Sequence, residues 1–191
     1  MANKQALREL QTRLAERMQA ARTQPRGQSW LAVECRGHGL LLPLEQAGEI
    51  FAMSALLRVP HTQPWFVGVA NLRGGLHGVV DLARFVGLGG LPLEAGVRDQ
   101  ARLVALGAPL GLNVALLVDR LAGLRAIDQL QRDAAAPEGA AADRPAFAPA
   151  LWRDAQGRRW QALDLAALAR DVRFLSIVAS PGRTQTHQGS A

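Results

Sequence analysis

Few side chains in this sequence could carry covalent chemistry. Cys35 is the single cysteine, and His38 or His77 could act as its general base. A cysteine nucleophile also needs a group that orients the base and donors that hold an oxyanion, and neither is identifiable in the sequence. Because a lone cysteine inside an apolar strand is usually a core residue, we predict no catalytic residue. A soluble enzyme that uses Cys35 is an alternative, which alkylation of the thiol would test.

Metal and phosphate sites are not predicted either. The histidines lack metal-ligand spacing and cysteine partners, so no structural zinc site and no cofactor are expected: His38, His61, His77 and His187. No G-x-x-x-x-G-K-[ST] phosphate loop occurs. Asp81 and Asp164 have the sequence context of helix caps rather than of a paired acid and base. The lack of a catalytic constellation favours a binding module.

Composition bounds the compartment and the partner class. The chain has 191 residues, 49% of them hydrophobic, and a net charge of +6. Most of that charge lies in residues 1–26, and arginine supplies nearly all of the basic side chains, which is a compositional bias rather than a nucleic-acid-binding face. One cysteine and no signal-peptide pattern indicate the cytoplasm. The longest apolar run, 104–118, is broken by glycine and proline and is too short for a membrane helix.

The N-terminal segment is predicted to be an amphipathic helix. Leu7, Leu10, Leu14 and Met18 recur at helical spacing, with charged residues between them, and the helix should end before Pro25. This apolar stripe could pack on the protein itself, bind a partner, or lie on an anionic membrane surface. We therefore define residues 1–27 as a helix and linker whose role stays open.

Strands and a hairpin must position the remaining candidates. Apolar residues on either side of 71–75 predict two strands with Arg73 at the tip of the turn between them, and Asp81 is predicted to cap a short helix over 82–85. Arg73 can offer a fork of donors to a partner. Alternatively, Asn71 and Arg73 satisfy the hairpin's own carbonyl groups. Composition alone does not decide between these interpretations.

Short strands are predicted along the rest of the chain. Residues 29–85 hold about five strands, and a second set follows the break at 87–92. Residues 133–150 read as a mobile loop, a last hairpin covers 151–163, and a frayed tail begins at residue 180. The segment 79–83 is echoed at 162–166, which suggests two related halves or a chance match.

These motifs resemble a known family. The runs 68–74 and 79–82, together with 48–50, 114–119 and 163–165, look like the CheW-like adaptor domain of bacterial chemosensory pathways. The runs 46–51 and 62–75 are similar to the branch linked to type IV pili and twitching motility. His77-Gly78 departs from the aliphatic-proline pair of many members, and the loop at 133–150 is longer than usual.

The resemblance implies a mainly β fold. It consists of two SH3-like five-stranded β-barrels around a shared hydrophobic seam, with an N-terminal amphipathic helix and short helices. The expected domain covers 28–179. Its first barrel comprises about 28–88 plus a C-terminal return at about 160–179, its second barrel comprises about 98–159, and a disordered tail follows at 180–191.

The resemblance also implies a function without catalysis. Such adaptors bind the regulatory domain of a CheA-like histidine kinase, and the helical cytoplasmic tip of a methyl-accepting chemoreceptor in a groove between the barrels. They work in the cytoplasm at membrane-bound receptor arrays. Carried over by position, the receptor contacts are Ala47, Glu49, Ile50, Asn71 and Arg73. The kinase contacts are Gly74, Gly75, Leu76 and Val79. A scaffold outside chemosensing that binds through the N-terminal helix is the other alternative.

Overall fold

The computed structural model describes residues 29–88, 99–133 and 145–179. In this part of the chain the structure is mainly β, as predicted, with short helices. The strands are β1 (Ser29–Cys35), β2 (His38–Pro43), β3 (Ala47–Ala52), β4 (Phe66–Leu72), β5 (Gly75–Asp81), β6 (Arg102–Leu106), β7 (Val114–Val118), β8 (Arg120–Ala126), β9 (Leu130–Arg132), β10 (Ala150–Asp154) and β11 (Arg159–Ala162). The α-helices are α1 (Leu82–Phe85), α2 (Leu165–Leu168) and α3 (Val172–Leu175), and single 3-10 turns span Ala108–Leu110 and Ile127–Gln129.

The strands form two curled sheets. One has five strands in the order β3-β6-β7-β5-β4, and the other has six in the order β8-β1-β2-β11-β10-β9. In each sheet the two edge strands contribute to the same interior cluster: Phe51 and Ala70 meet in one, and Ala122 and Leu130 in the other. We call these units the five-stranded barrel and the six-stranded barrel. The prediction of two small barrels is confirmed, with β9 as one strand more than expected.

The central strands are buried on both faces, which explains their nearly continuous apolar sequences. In β1, Trp30 and Ala32 point into the six-stranded barrel, whereas Leu31 and Val33 point into a core between the barrels. The same alternation occurs in β7, where Leu117 belongs to the interior of the five-stranded barrel. The core between the barrels receives side chains from both sheets, among them Cys35, Leu40, Leu42, Val104, Leu116 and Val118. This core is the hydrophobic seam that holds the two barrels together.

The two barrels repeat one strand arrangement. In the five-stranded barrel, β6 and β7 form an antiparallel hairpin, β7 pairs in parallel with β5, and β5 pairs antiparallel with β4. In the six-stranded barrel, β1 and β2, then β11, then β10 follow the same sequence of pairings. The echoed segments 79–83 and 162–166 occupy matching places, since each ends a strand and begins a helix. The structure therefore favours two related halves over a chance match.

The strands are shared between the barrels differently from the predicted division. Instead of grouping with β3 to β5, β1 and β2 belong to the six-stranded barrel with β8 to β11. The chain changes barrel between β2 and β3 and again between β7 and β8. The cause is the parallel pairing of residues 39–41 with residues 160–162, which occupies the outer edge of β2 and leaves β3 to pair with β6. A C-terminal return to an N-terminal strand was predicted, and β11 makes it.

Several predicted segments fall outside the described residues: the N-terminal helix, the tail from residue 180, and residues 134–144 of the predicted loop. The end of that loop is described and is not a mobile surface segment, because Phe147 is buried in the core between the barrels. Phe147 packs against Phe85, which in turn packs edge-on to Trp65 and Phe174. This aromatic cluster ties the C-terminal helix α3 to both barrels.

Candidate partner-binding surface

The β4–β5 hairpin presents Arg73 at its tip. The turn consists of Arg73 and Gly74, both with positive φ (49° and 84°), which is the backbone of a two-residue hairpin turn whose twist matches that of the strands. The side-chain oxygen of Asn71 accepts a hydrogen bond from the Gly74 backbone N–H at 2.8 Å. Asn71 thus has a structural role in the turn, although this contact satisfies a backbone N–H and not a carbonyl group as the alternative supposed. The guanidinium of Arg73 remains available for another role.

Arg73 pairs with Glu49, a second predicted receptor contact. Arg73 Nη2 lies 2.8 Å from Glu49 Oε1, and the two side chains are 76% and 41% exposed. Glu49 belongs to β3, and Arg73 lies in the turn just beyond the end of β4. Since β3 and β4 are the two edge strands of the five-stranded barrel, the ion pair links the two edges. Such an exposed pair contributes about 0.2–1 kcal/mol to stability. The charged atoms of both side chains are therefore accessible, and their ion pair contributes little to the stability of the fold.

The predicted neighbours on β3 divide into a core contact and a surface contact. Ala47 is partly buried and packs against the core between the barrels, whereas Ile50 is 37% exposed. Gly48 approaches β6 closely, because a Cβ at this position would lie 2.9 Å from the Leu106 carbonyl oxygen. Of the residues predicted to contact a receptor, Glu49, Ile50 and Arg73 expose their side chains most, and we refer to these three as the predicted receptor-facing surface.

The predicted kinase contacts are only partly at the surface. Leu76, near the start of β5, is 65% exposed. Gly74 is exposed in the turn, and Gly75 is partly buried as the first residue of β5. Val79 has no exposed surface and packs in the interior of the five-stranded barrel with Leu103. The prediction of Val79 as a direct contact is wrong in this geometry, since its side chain faces the barrel interior. Leu76 is the exposed apolar side chain of this segment.

Other exposed apolar side chains offer further contact area. A large apolar residue at the surface is common, so single examples carry no inference. Within the described residues they are Leu44, Met53, Leu57, Val59, Leu121, Leu124, Val172, Leu175 and Val178. A cavity of about 700 Å³ lies at the end of the five-stranded barrel away from Arg73, with Met53, Val59 and Phe66 among its lining residues. Leu76 lies three residues after Arg73 in the hairpin, and Ile50 follows Glu49, the ion-pair partner of Arg73.

The geometry opposes a catalytic role for Cys35. The thiol is buried in the core between the barrels, and this burial raises its pKa, as does the nearby charge of Asp119. His38 stands opposite Cys35 in the hairpin but is exposed, and the His77 ring Nδ1 lies 3.0 Å from the Gly75 carbonyl oxygen. A buried thiol with a raised pKa is a poor nucleophile. Among the residues that the structure describes, no three His, Cys, Asp or Glu side chains are grouped as a metal site.

Both predicted helix caps are present. Asp81 Oδ1 accepts a hydrogen bond from the Arg84 N–H at 3.0 Å, and Asp164 Oδ1 accepts from Ala166 and Ala167 at 2.9 and 3.0 Å. Asp81 has a second role that the sequence did not predict. Its other oxygen lies 3.1 Å from Arg36 Nη2, a buried contact between the barrels. Asp119 Oδ2 also accepts a hydrogen bond from the Arg36 backbone N–H at 2.5 Å.

A second charge cluster centres on the buried Glu34, whose two arginine partners are partly exposed. Its carboxylate oxygens lie 2.6 Å from Arg120 and 2.6 Å from Arg158. Burial by itself would raise the pKa of Glu34, but the hydrogen bonds and charges of Arg158 and Arg120 outweigh it and lower the pKa. Sequence reasoning missed this cluster. The available signal was a single carboxylate within the otherwise apolar strand β1, because such a residue needs a charged partner when it is buried.

The geometry and the sequence can now be compared with known proteins. The profile of the family described as CheW-like domain matches residues 29–173. The chain belongs to this family. A solved CheW-like structure, the crystal structure of the scaffolding protein TtCheW from Thermoanaerobacter tengcongensis, superposes with a TM-score of 0.58 at 16% identity, covering 72% of this chain and 89% of that one. At that identity the likeness concerns the fold alone.

A curated CheW-like relative gives a second comparison. The chain is 31% identical over 100 residues to Protein PilI of Pseudomonas aeruginosa, a match that covers 51% of this chain and 53% of the relative. The match thus spans about half the length of that protein. The family resemblance predicted from the sequence is confirmed. In the described residues of this CheW-like chain, the helices are too short to cross a membrane.

Proposed function

We propose that this CheW-like chain is a non-catalytic adaptor that couples methyl-accepting chemoreceptors to a CheA-like histidine kinase. The observation that carries the proposal is the exposed Arg73–Glu49 pair, which joins the two edges of one barrel of a CheW-like fold. Arginine is favoured at the centres of interfaces because its planar fork can bind carboxylate and backbone oxygens. Because the exposed ion pair contributes little to stability, the N–H donors of Arg73 are available to a partner.

The receptor tip is proposed to dock on Glu49, Ile50 and Arg73, and the kinase regulatory domain beside Leu76. An amphipathic helix that lays its apolar face on Ile50 would place polar side chains within reach of the ion pair. The two surfaces flank one turn, so one adaptor could hold both partners. Signalling then requires that these contacts differ in free energy between the active and inactive kinase assemblies.

The central experiment measures binding of the full chain to a receptor tip fragment and to the kinase regulatory domain by calorimetric titration. Arg73→Glu should weaken receptor-tip binding at least about tenfold, and kinase binding and the unfolding midpoint should change little. Arg159→Glu is the control on the six-stranded barrel, because Arg159 is also exposed and ion-paired, in this case with Asp133. Arg153 pairs with the same carboxylate, so Asp133 keeps a cationic partner in this variant. Unchanged receptor-tip binding by folded Arg73→Glu would refute the assigned surface.

A charge swap separates direct contact from support of the fold. The double variant Glu49→Arg with Arg73→Glu restores an ion pair between the barrel edges with the charges exchanged. If the partner reads the charges themselves, receptor-tip binding stays weak in the double variant. If the pair only closes the barrel, the double variant regains the binding that Arg73→Glu lost.

The kinase surface is tested with two leucines of similar exposure. Leu76→Asp should weaken binding of the regulatory domain, and Leu124→Asp on β8 should not, although Leu124 is 59% exposed against 65% for Leu76. The reverse result would place the kinase on the six-stranded barrel. Loss of kinase binding on deletion of residues 1–26, with Leu76→Asp unaffected, would favour the alternative scaffold that binds through its N-terminal helix.

The signalling output is proposed to be type IV pilus twitching motility, with the protein in the cytoplasm at membrane-bound receptor arrays. The similarity to Protein PilI over about half of its length supports this pilus output. Deleting the gene should abolish twitching while leaving the pilus fibre subunit in place, and the wild-type chain should restore it. Restoration of flagellar swimming bias instead would assign the adaptor to a flagellar pathway.

A further inference from the structure

Gln46 connects the strand that carries Glu49 to the opposite barrel. It lies in the link between β2 and β3, where the chain passes from one barrel to the other. Its side-chain oxygen accepts hydrogen bonds from the backbone N–H groups of Leu165 and Ala166, at 2.7 and 3.2 Å. These groups form the first turn of α2, which follows β11 in the six-stranded barrel. The side chain of Gln46 thus bridges the two barrels at the start of β3.

The backbone of Gln46 is held as firmly as its side chain. Its carbonyl oxygen accepts a hydrogen bond from the Gly107 N–H at 2.8 Å, just beyond the end of β6. A Cβ on Gly107 would lie 2.9 Å from that oxygen, so only glycine allows this approach without displacement. Gln46 is therefore fixed to its own barrel by the main chain and to the other barrel by the side chain.

This anchoring matters because β3 is weakly held where Glu49 lies. The strand is an edge strand paired only with β6, and its register shifts between the pairs Ala47–Leu106 and Ile50–Val104. Glu49 falls inside this irregularity, without a registered partner on β6. A bulge re-aims the side chains around it, and its direction depends on how the flanking residues are held. Gln46 lies three residues before Glu49 and provides that hold on the N-terminal side.

We propose that Gln46 is a positioning residue for the receptor-facing surface: by bonding its side-chain amide to the first turn of α2, it fixes the β3 bulge that presents Glu49 to Arg73. The expected effect of Gln46 on receptor-tip binding rests on the proposed function. Its expected effect on the position of β3 rests on the hydrogen bonds alone. Asp164 already supplies an acceptor to Ala166 and Ala167, so α2 is capped without Gln46. The Gln46 contact is therefore concerned more with the placement of β3 than with formation of the helix.

The test compares Gln46→Met with Gln161→Met. Methionine keeps the length of the side chain and removes its acceptor. Gln161 is a matched control, because its side-chain amide donates to the Ala150 and Ala162 carbonyl oxygens, both within the six-stranded barrel. Gln46→Met should raise the amide hydrogen-exchange rate of β3 by about fivefold or more, and Gln161→Met should leave it unchanged.

Binding by the same variants provides the functional arm. Gln46→Met should weaken receptor-tip binding about fivefold or more, with kinase binding unchanged within about twofold. Gln46→Glu in the Asp164→Asn background restores an acceptor without placing two carboxylates at one helix start, and it should recover receptor-tip binding. Recovery by this variant separates positioning from a general loss of stability.

Three outcomes would overturn the inference. They are unchanged β3 exchange in folded Gln46→Met, equal weakening of both partners, and failure of the Gln46→Glu and Asp164→Asn combination to recover either readout. If wild-type protein does not bind a receptor tip, the proposed function fails, but the exchange experiment still decides whether Gln46 holds β3. The two failures are therefore distinguishable.

Discussion

Asp81 and Asp164 occupy matching places in the two barrels and invite a direct comparison. Each follows a strand and caps a four-residue helix with Oδ1. They differ in the second oxygen, because Asp81 Oδ2 lies 3.1 Å from Arg36 Nη2. The side chains of Asp81 and Arg36 are each about one-tenth exposed (11% and 9%). Substitution by asparagine keeps an acceptor for the cap and removes the charge. Asp81 Oδ2 also lies 3.3 Å from Arg84 Nε, so the comparison of Asp81→Asn with Asp164→Asn reports on both ion pairs of Asp81. The pair with Arg36 should dominate, because the Arg36 side chain is 9% exposed and the Arg84 side chain is 46% exposed.

The expected costs differ by several-fold. Asparagine and aspartate are nearly equivalent as N-caps, so Asp164→Asn should cost at most about 0.5 kcal/mol. At 3.1 Å and an effective dielectric constant of about 20, the Asp81–Arg36 attraction is about 5 kcal/mol. Part of it survives in Asp81→Asn, since asparagine can still accept a hydrogen bond and Asp119 remains close to Arg36. We expect a net loss of about 3 kcal/mol, within the range for breaking a buried pair.

Urea unfolding measures this difference. With a slope of about 2 kcal/mol per molar urea, Asp81→Asn should lower the midpoint by about 1.5 M, and Asp164→Asn by less than about 0.3 M. Adding Arg36→Met to Asp81→Asn should recover part of the loss, because it removes the buried guanidinium that has lost the charge of Asp81. Equal midpoints for the two asparagine variants would refute the reasoning, since the cap would then account for the whole role of Asp81.

Further predictions concern acid stability, backbone strain and thiol reactivity. The pKa of Glu34 is lowered in the folded state by its hydrogen bonds and charge contacts with Arg158 and Arg120. Its contribution to stability is therefore present above the ordinary carboxyl range and is lost as the pH falls through the folded-state pKa. Between about pH 6 and about pH 3, the urea midpoint should fall less steeply in Glu34→Gln than in wild type. Gly68→Ala should lower the melting temperature of the protein far more than Gly74→Ala does. A Cβ on Gly68 would lie 2.4 Å from the Leu57 carbonyl oxygen, whereas a Cβ on Gly74 would have no neighbour within 4 Å. Similar melting temperatures for the two variants would contradict this prediction. Cys35 should react with a disulfide reagent in the native protein far more slowly than in urea, because it is buried and its pKa is raised; fast native reaction would reopen the enzyme alternative.

Local features of this fold were predictable from the sequence because they depend on residues close together in the chain. The turn that carries Arg73 and the caps at Asp81 and Asp164 each involve groups within four residues of one another. Turn residues, alternation of apolar residues and capping side chains encode such units directly. Glu49 and Arg73 were predicted as receptor contacts by resemblance, but their ion pair follows only from the closure of the barrel.

The long-range features were not predictable in the same way. Sequence order suggested that β1 and β2 share a barrel with β3 to β5, because consecutive strands are usually neighbours. The parallel pairing of β2 with β11, between residues far apart in the chain, overrides that tendency. The misplacement of Val79 has a similar origin, because transfer by position ignored which face of β5 points inward. Buried polar contacts such as Arg36–Asp81 also join residues that no local pattern connects.

The difference between the two barrels bears on where a partner can bind. In the six-stranded barrel, β10 is covered on its outer side by β9. Its counterpart in the five-stranded barrel is β4, and in the described residues the outer side of β4 receives a single bridge, between Val69 and Leu57. Strand edges attract partners because their backbone groups are not all paired. The chain thus leaves one barrel with an accessible edge and places the exposed Arg73 at the end of that edge. Addition of β9 to one barrel alone makes the two related halves unequal, and in the described residues β4 keeps an outer edge that its counterpart β10 lacks.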